Sequence, residues 1–384
     1  MQTALFASRH SRTAVEKLRQ VNVGLIFLIA VVSSIGFGTL YSAAGGSWDP
    51  WASRQMIRFV VGVVLMLGVA VVDQRVWFRI AYGFYFAAFV LLVIVDVAGA
   101  IGMGAQRWLD IGGIIQIQPS ELMKIALILT LARYFHGLSL EEIGNPLYLL
   151  WPAFLVLAPA ALVAKQPDLG SAILLVLMGA VIFFLAGVRV WMFLLVGGSG
   201  IAAVPIALKF LRGYQRQRLV TFMDPESDPL GAGYHIIQSK IALGSGGVWG
   251  KGFLQGTQSH LQFLPERQTD FIFTMLCEEW GFVGGLALIG MYTLILLYGI
   301  SISLRSRSQF GRLTGMGVVA AFYIYAAINM AMVMGVLPVV GEPLPLVSYG
   351  GTSMMSLLIA FGLLMNVYVH RDQFIGRWGS GTEG

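Results

Sequence analysis

The sequence predicts an all-α, polytopic integral membrane protein of about ten transmembrane helices, with one large extracytoplasmic loop between helices 7 and 8. Three observations lead there. Of the residues, 57% are hydrophobic and only 11% charged, and the mean hydropathy is +0.78, outside the range of ordinary soluble domains. Apolar runs close to the length that crosses a hydrocarbon core, about 20 residues, recur along the chain. The 47 Gly and 17 Met let helices approach closely and pack adaptably where lipid supplies no hydrophobic drive for association. The lone Cys277 excludes an intrachain disulfide and a cysteine metal cluster, and reads as a small apolar side chain inside a helix.

In order, the spans are read at 22–42, 56–72, 75–98, 119–135, 147–164, 170–187, 190–210, 270–303, 313–336 and 346–369. The first follows a basic leader, residues 1–21, carrying Arg9, Arg12, Lys17 and Arg19. Its apolar run is longer than a cleavable signal carries, so it reads as an uncleaved anchor. The eighth exceeds what a bilayer needs and is expected to tilt, or to kink at Gly281, Gly284 and Gly285. The loop at 211–269 precedes it, a tail at 370–384 closes the chain, and residues 1–384 form one membrane domain.

Orientation follows from basic residues in short loops. The leader, the turn with Arg305, Arg307 and Arg312, and the tail with Arg371 and Arg377 should face the cytoplasm, with both termini there because the span count is even. The segment 99–118, the turn at 165–170, the loop at 211–269 and the turn at 337–345 then lie outside. That long loop is basic yet external, with Arg212, Arg216, Arg218, Lys240, Lys251 and Arg267. Long loops translocate largely regardless of charge, so these cations are better explained by an anionic, phosphorylated partner.

Polar features crowd this outer side. Asp270, in LPERQTDFIF (264–273), is a carboxylate at the mouth of a membrane helix. In 104–124 a helix begins near Pro119, with Ser120 as N-cap and Glu121 in the first turn. Glu121 and Lys124 share a face, and two readings stand: an ion pair that neutralises both charges, or a pair lining a cavity beneath Asp270 that holds a substrate group. Asp168, just before the next span, is assigned chiefly to capping. Glu278 and Glu279 follow Asp270 by about 12 to 13 Å of helix, and one of them is expected to point into the bundle, hydrogen-bonded or protonated. Within 233–252, Ile237 and Ile241 share the face of a short interfacial helix, and the glycines after it read as structural turns rather than a phosphate-binding loop.

The five histidines, His10, His136, His235, His260 and His370, show no metal-binding spacing, so no protein metal site is assigned. Neither a GxSxG elbow nor an exposed Cys with a base occurs, leaving a lone carboxylate base with cationic companions. A transporter of a lipid-linked substrate is the competing class, but alternating access calls for internal repeats and polar residues along both halves of the path, and no repeat is detected. A scaffold would not need Asp270. No nucleic-acid partner is expected.

Several motifs in one order then carry a resemblance: RWLDIG (107–112), QPSELMKI (118–125), KQPDLGSA (165–172), YQRQRLVTFMDPESDPLGAGYHIIQSKIALGSGG (214–247), LPERQTDFIF and LPLVSYGGTSM (344–354). Together they make the chain resemble the SEDS family (shape, elongation, division and sporulation), and its elongation, RodA-type branch in particular. Two positions depart from that pattern: Gln268 stands where His is usual, and Glu342 where an apolar residue is common. Gln cannot titrate near neutrality, which weakens any proton relay through that position.

The resemblance implies a peptidoglycan glycosyltransferase that joins lipid II disaccharides through β-1,4 bonds, with inversion, and releases undecaprenyl pyrophosphate. It implies Asp270 as catalytic base, and Glu121, Lys124, Asp168 and Glu279 as supporting residues of the cavity. Substrate contacts fall on Arg107, Arg216, Arg218, Gln238, Lys240, Arg267, Ser348 and Tyr349. No organic cofactor is called for, while a divalent cation could share the leaving-group charge. Implied partners are lipid II, the nascent glycan strand, a class B penicillin-binding protein transpeptidase and other elongation-complex membrane proteins. The implied location is the bacterial inner membrane, with the active site facing the periplasm.

Overall fold

The computed structural model describes residues 13–98, 100–102, 105–111, 115–210, 221–224, 232–257 and 266–377. A short helix α1 (Ala14–Arg19) leads into α2 (Val23–Ala43), α3 (Ala52–Val71) and α4 (Gln74–Ala98). Three short strands follow, β1 (Ala100–Gly102), β2 (Ala105–Ile111) and β3 (Ile115–Ile117), then α5 (Pro119–His136), α6 (Leu140–Ile143), α7 (Pro146–Lys165), α8 (Leu169–Ala186) and α9 (Val190–Phe210). Helix α10 (Ala232–Ser245) belongs to the outer loop, and α11 (Ile272–Leu304), α12 (Gln309–Val333) and α13 (Gly351–Val369) complete the bundle.

Eight helices among the described residues, α2, α3, α4, α7, α8, α11, α12 and α13, are long and apolar enough to cross a membrane. The other two expected spans are also helical. Helix α9 is an apolar run of 21 residues, VWMFLLVGGSGIAAVPIALKF. In α5 the charges Glu121, Lys124 and Arg133 lower the hydropathy, yet its residues are buried on nearly every side, packed by α4, α7, α8, α12 and α13. A charge-bearing helix is tolerated in a bilayer when it faces protein rather than lipid. Large apolar side chains such as Val64, Phe86, Leu194 and Leu297 stay exposed around the outside, as a lipid-facing band requires.

The two ends of the bundle differ. At one end Lys17 Nζ donates to Val71 O at 3.0 Å, Arg307 N donates to Arg371 O at 2.9 Å, and Arg377 Nη2 meets Glu142 Oε2 at 2.8 Å. At the other end β1–β3 pair as an antiparallel sheet in the order β1-β2-β3, with Leu109 opposite Ile117. No strand was expected there. The cue is short: Ile111 before a Gly-Gly step and Ile115 and Ile117 after it, a hairpin pattern.

The expected kink lies at Gly281, where φ is +68° and ψ −166° inside α11. The glycine turns of the outer loop fill the break. Lys251 N and Gly252 N donate to the carbonyls of Glu278 and Glu279, each at 3.0 Å, while Phe282 N and Val283 N donate to Gly247 O and Val248 O at 2.9 and 3.2 Å. Backbone freed by a broken membrane helix must find partners inside the protein, and here the loop supplies them. The approach is so close that a Cβ on Gly250 would lie 2.1 Å from Glu279 O, and one on Gly281 would lie 2.3 Å from Gly250 N.

Candidate active site

Asp270 lies two residues before α11, half-buried, in a segment clamped by its main chain. The Asn329 side-chain amide, on α12, donates to Asp270 O at 2.9 Å and to Glu342 O at 2.7 Å. Ser348 Oγ donates to Thr269 O at 2.6 Å, and Tyr349 N donates to Gln268 O at 2.8 Å. Residues 268–270 are thereby tied to the turn before α13. The same turn walls the carboxylate, since a Cβ on Gly341 would sit 3.6 Å from Asp270 Oδ2.

A buried ionic cluster lies under that turn. Lys124 Nζ meets Glu121 Oε1 at 2.9 Å, with both side chains under a tenth exposed, and it also hydrogen-bonds Tyr325 OH. Tyr325 OH donates to Glu121 at 3.0 and 3.1 Å, and Ser356 Oγ donates to Glu121 Oε2 at 2.7 Å. Each buried charge therefore has hydrogen-bond partners, the condition for holding an ion pair away from water. Glu342 reaches the same lysine at 3.8 Å and accepts from Ser171 Oγ at 3.0 Å. Burial pushes the Glu342 carboxyl up to about 8 against the lowering pull of Lys124. A cavity of about 40 Å³, lined in part by Glu121, Lys124, Tyr325, Leu344, Ser348 and Ser356, is large enough for water.

Several expectations change. The residue before α5 is Gln118, which makes no side-chain cap, and Pro119 takes the first helical position. Ser120 is therefore inside the helix, its Oγ buried without a hydrogen-bond partner among the described residues, rather than capping it. Asp168 does cap α8, accepting from Ser171 N at 3.2 Å, and Gln118 Nε2 reaches its other oxygen at 3.3 Å. The short helix expected around Ile237 and Ile241 is α10: Ile241 is exposed, while Ile236, Ser239 and Ala242 are buried, and Ser239 bridges Thr274 and Val333 O at 2.9 Å each. Both Glu278 and Glu279 are buried, where one inward carboxylate was expected. Glu278 meets Lys251 at 2.7 Å, so that lysine is engaged in holding the loop, and Ser42 Oγ donates to Glu279.

The expected substrate contacts fall on several separate elements. Arg107 donates to Pro167 O. Arg267 lies 5.9 Å over the Trp51 ring, and Tyr349 stacks under Arg58 at 4.8 Å. Lys240 is exposed and Gln238 half-buried on α10. Ser348 is buried and serves the clamp, donating to Thr269 O and accepting from Leu344 N at 2.8 Å. Arg212, Arg216 and Arg218 lie outside the described residues. Reading the sequence alone missed Asn329, Tyr325 and Ser356. The available signal was the cost of an amide in an apolar span, since Asn329 is fully buried in α12.

The arrangement sets a half-buried carboxylate at a helix mouth above a buried charge cluster, with the turn at 341–348 between them. With that geometry in view, the profile of the FtsW/RodA/SpoVE cell cycle protein family matches residues 17–373. Peptidoglycan glycosyltransferase MrdB of Escherichia coli (strain K12) is 48% identical over 335 residues, covering 86% of this chain and 88% of that protein. Peptidoglycan glycosyltransferase RodA of Treponema pallidum (strain Nichols) is 34% identical, covering 89% and 96%. Among solved structures, a chain of a peptidoglycan synthase complex that coordinates polymerization and crosslinking superposes with a TM-score of 0.77, at 33% identity over 92% of this chain and 99% of that one. The rod shape determining protein RodA of Thermus thermophilus gives 0.68, at 30% identity over 92% and 98%.

Proposed function

The chain belongs to the FtsW/RodA/SpoVE family of cell cycle proteins and is a multi-pass peptidoglycan glycosyltransferase, and we propose that it polymerises lipid II with Asp270 as general base. The observation that carries the base assignment is the clamp: the Asn329 and Ser348 side chains donate to the main-chain carbonyls of Asp270 and Thr269 and fix the segment that bears this carboxylate. The donor sugar is held by an α-linked pyrophosphate and the product bond is β, so one in-line displacement inverts the anomeric carbon without an enzyme nucleophile. The acceptor 4-hydroxyl oxygen attacks that carbon, its proton passes to Asp270, and the carbon–oxygen bond to undecaprenyl pyrophosphate breaks.

The departing anion needs positive charge. Arg267 and Lys240, with Arg216 and Arg218 from the same loop, supply it in this reading. A divalent cation arriving on the pyrophosphate is a further source; among the described residues no three acidic, imidazole or thiol groups are arranged to hold one by themselves. The basic end of the bundle, with Lys17, Arg307, Arg371 and Arg377, is assigned to the cytoplasm. The Asp270 end then faces the periplasm across the bacterial inner membrane, with both termini inside. A transpeptidase of the class B penicillin-binding type is the proposed partner, supported by the likeness to a synthase complex that both polymerises and cross-links.

The test is chemical. Purified protein, alone and with its transpeptidase, is given lipid II in detergent, and the product is digested with a muramidase specific for β-1,4 linkages. Long glycan that the muramidase cuts is expected. Absence of polymer in every partnered condition, together with movement of labelled lipid II across vesicles, would replace polymerisation by transport.

A further inference from the structure

Glu342 is the one buried carboxylate of the ionic cluster that also reaches the catalytic segment through its own main chain. It is 3% exposed, in the turn between α12 and α13, outside the membrane-spanning helices. Its side chain is wedged between Ser171 Oγ on α8, at 3.0 Å, and Lys124 Nζ on α5, at 3.8 Å. Its carbonyl accepts from the Asn329 amide at 2.7 Å, and that amide also holds Asp270 O at 2.9 Å. Asn329 is fully buried, so it cannot follow one partner without moving the other. Gly341, the preceding residue, lies against Asp270 Oδ2. A shift of the Glu342 side chain therefore reaches the Asp270 segment by two short routes.

The wedge is tight. A Cβ on Gly170, at the start of α8, would meet Val340 O at 2.9 Å and Glu342 Oε1 at 3.0 Å. The groups facing Glu342 are Glu121 and Lys124 from α5, Asp168 and Ser171 at the start of α8, and Tyr325 and Asn329 from α12. Asp270 lies beyond Gly341. One lysine thus serves three nearby carboxylates. With Glu342 neutral, Lys124 belongs to Glu121; with Glu342 ionised, the lysine is drawn toward the turn. A buried carboxyl costs more here than an apolar side chain of similar size, which makes a role beyond filling space worth seeking.

We propose that Glu342 is a positioning residue for glycosyl transfer: its charge state sets, through the turn at 340–342 and the Asn329 bridge, where Asp270 stands. The inference rests on the polymerase reading above. Burial holds the Glu342 proton on through neutrality, so the aligned state is the neutral one and ionisation above about pH 8 withdraws it.

The experiment measures initial polymerisation rates on lipid II from pH 6 to pH 9.5, with the purified protein and its transpeptidase partner, for wild type, Glu342→Gln and Gly170→Ala. Wild type should lose kcat about tenfold across an alkaline limb, with KM steady. Glu342→Gln, which keeps the neutral shape, should hold its own neutral-pH rate through pH 9. Gly170→Ala should lower kcat about tenfold at every pH with KM within twofold. Equal melting temperatures at pH 7 separate positioning from loss of fold. An alkaline limb retained in Glu342→Gln, or wild-type kcat in Gly170→Ala, would overturn the inference. Failure of wild type itself to make polymer would instead overturn the polymerase reading.

Discussion

Glu121 and Asp270 flank the same helix, α12, and are served by residues one turn apart, Tyr325 and Asn329. The two carboxylates are nonetheless built for different work. Glu121 has donors on both oxygens, from Lys124, Tyr325 and Ser356, and is buried. Asp270 is held by its main chain and is only half-buried, at the mouth of α11. A carboxylate sealed inside the bundle suits a group that fixes helices to one another, whereas a base must be reachable by a proton arriving from outside. The two are linked, since Lys124, Glu342 and Asn329 connect the buried cluster to the Asp270 segment.

The strongest way to break this contrast is to strip the cluster. Lys124→Met leaves Glu121 buried without its cation and should cost about 3–5 kcal/mol, the range for breaking a buried pair, read as loss of folded protein on detergent chromatography. The charge swap Glu121→Lys with Lys124→Glu should not restore activity, because Lys124→Glu sets a second carboxyl against Glu342, which lies 3.8 Å from Lys124 Nζ. Recovery in the swap would show that pairing alone matters. A smaller loss is expected for Gly281→Ala, about 1–3 kcal/mol for strain at a residue of positive φ, raised by collision with the Gly250 backbone. Gly290→Ala on the same helix has open space around it and serves as the neutral control in thermal melts.

Glu342 gives a pH test of stability. Its folded pKa, about 8, lies above the ordinary 4.5. Between those values the folded protein keeps a proton that the unfolded chain has released, so stability falls as pH rises through that window and levels off above about 8. Melting curves from pH 5 to pH 9 should therefore fall less steeply in Glu342→Gln than in wild type. The smallest effect belongs to the exposed Arg377–Glu142 pair: Arg377→Ala should leave the melting temperature within error, as surface pairs generally do.

Most of the bundle was legible because hydropathy reports the span length directly, and the kink was legible because Gly281 sits in an overlong run. The glycine turns of the outer loop read correctly as turns. Their partner, the broken backbone of α11, did not, since that contact joins segments some thirty residues apart. Ser120 misled because Pro119 fixes the first helical position and moves the cap to Gln118. The short helix carrying Ile237 and Ile241 was legible, but its protein-facing residues, Ile236, Ser239 and Ala242, were not, since Ser239 meets Thr274 from a distant helix. Asp270 and the Glu121–Lys124 pair stood out as charges next to membrane spans. Asn329 did not, because one amide in an apolar helix carries no spacing pattern, and only the turn folded against it reveals its two acceptors.

The central claim is that Asp270 takes the acceptor proton. The measurement that tests it most directly is the rate of glycan-ladder formation from lipid II by wild type and Asp270→Asn, each purified with the transpeptidase and shown to melt alike. The account predicts a loss of about 10²–10⁴-fold, the range for removing a general base, with the protein still folded. Ladders formed at the wild-type rate by Asp270→Asn would contradict it and move the base elsewhere.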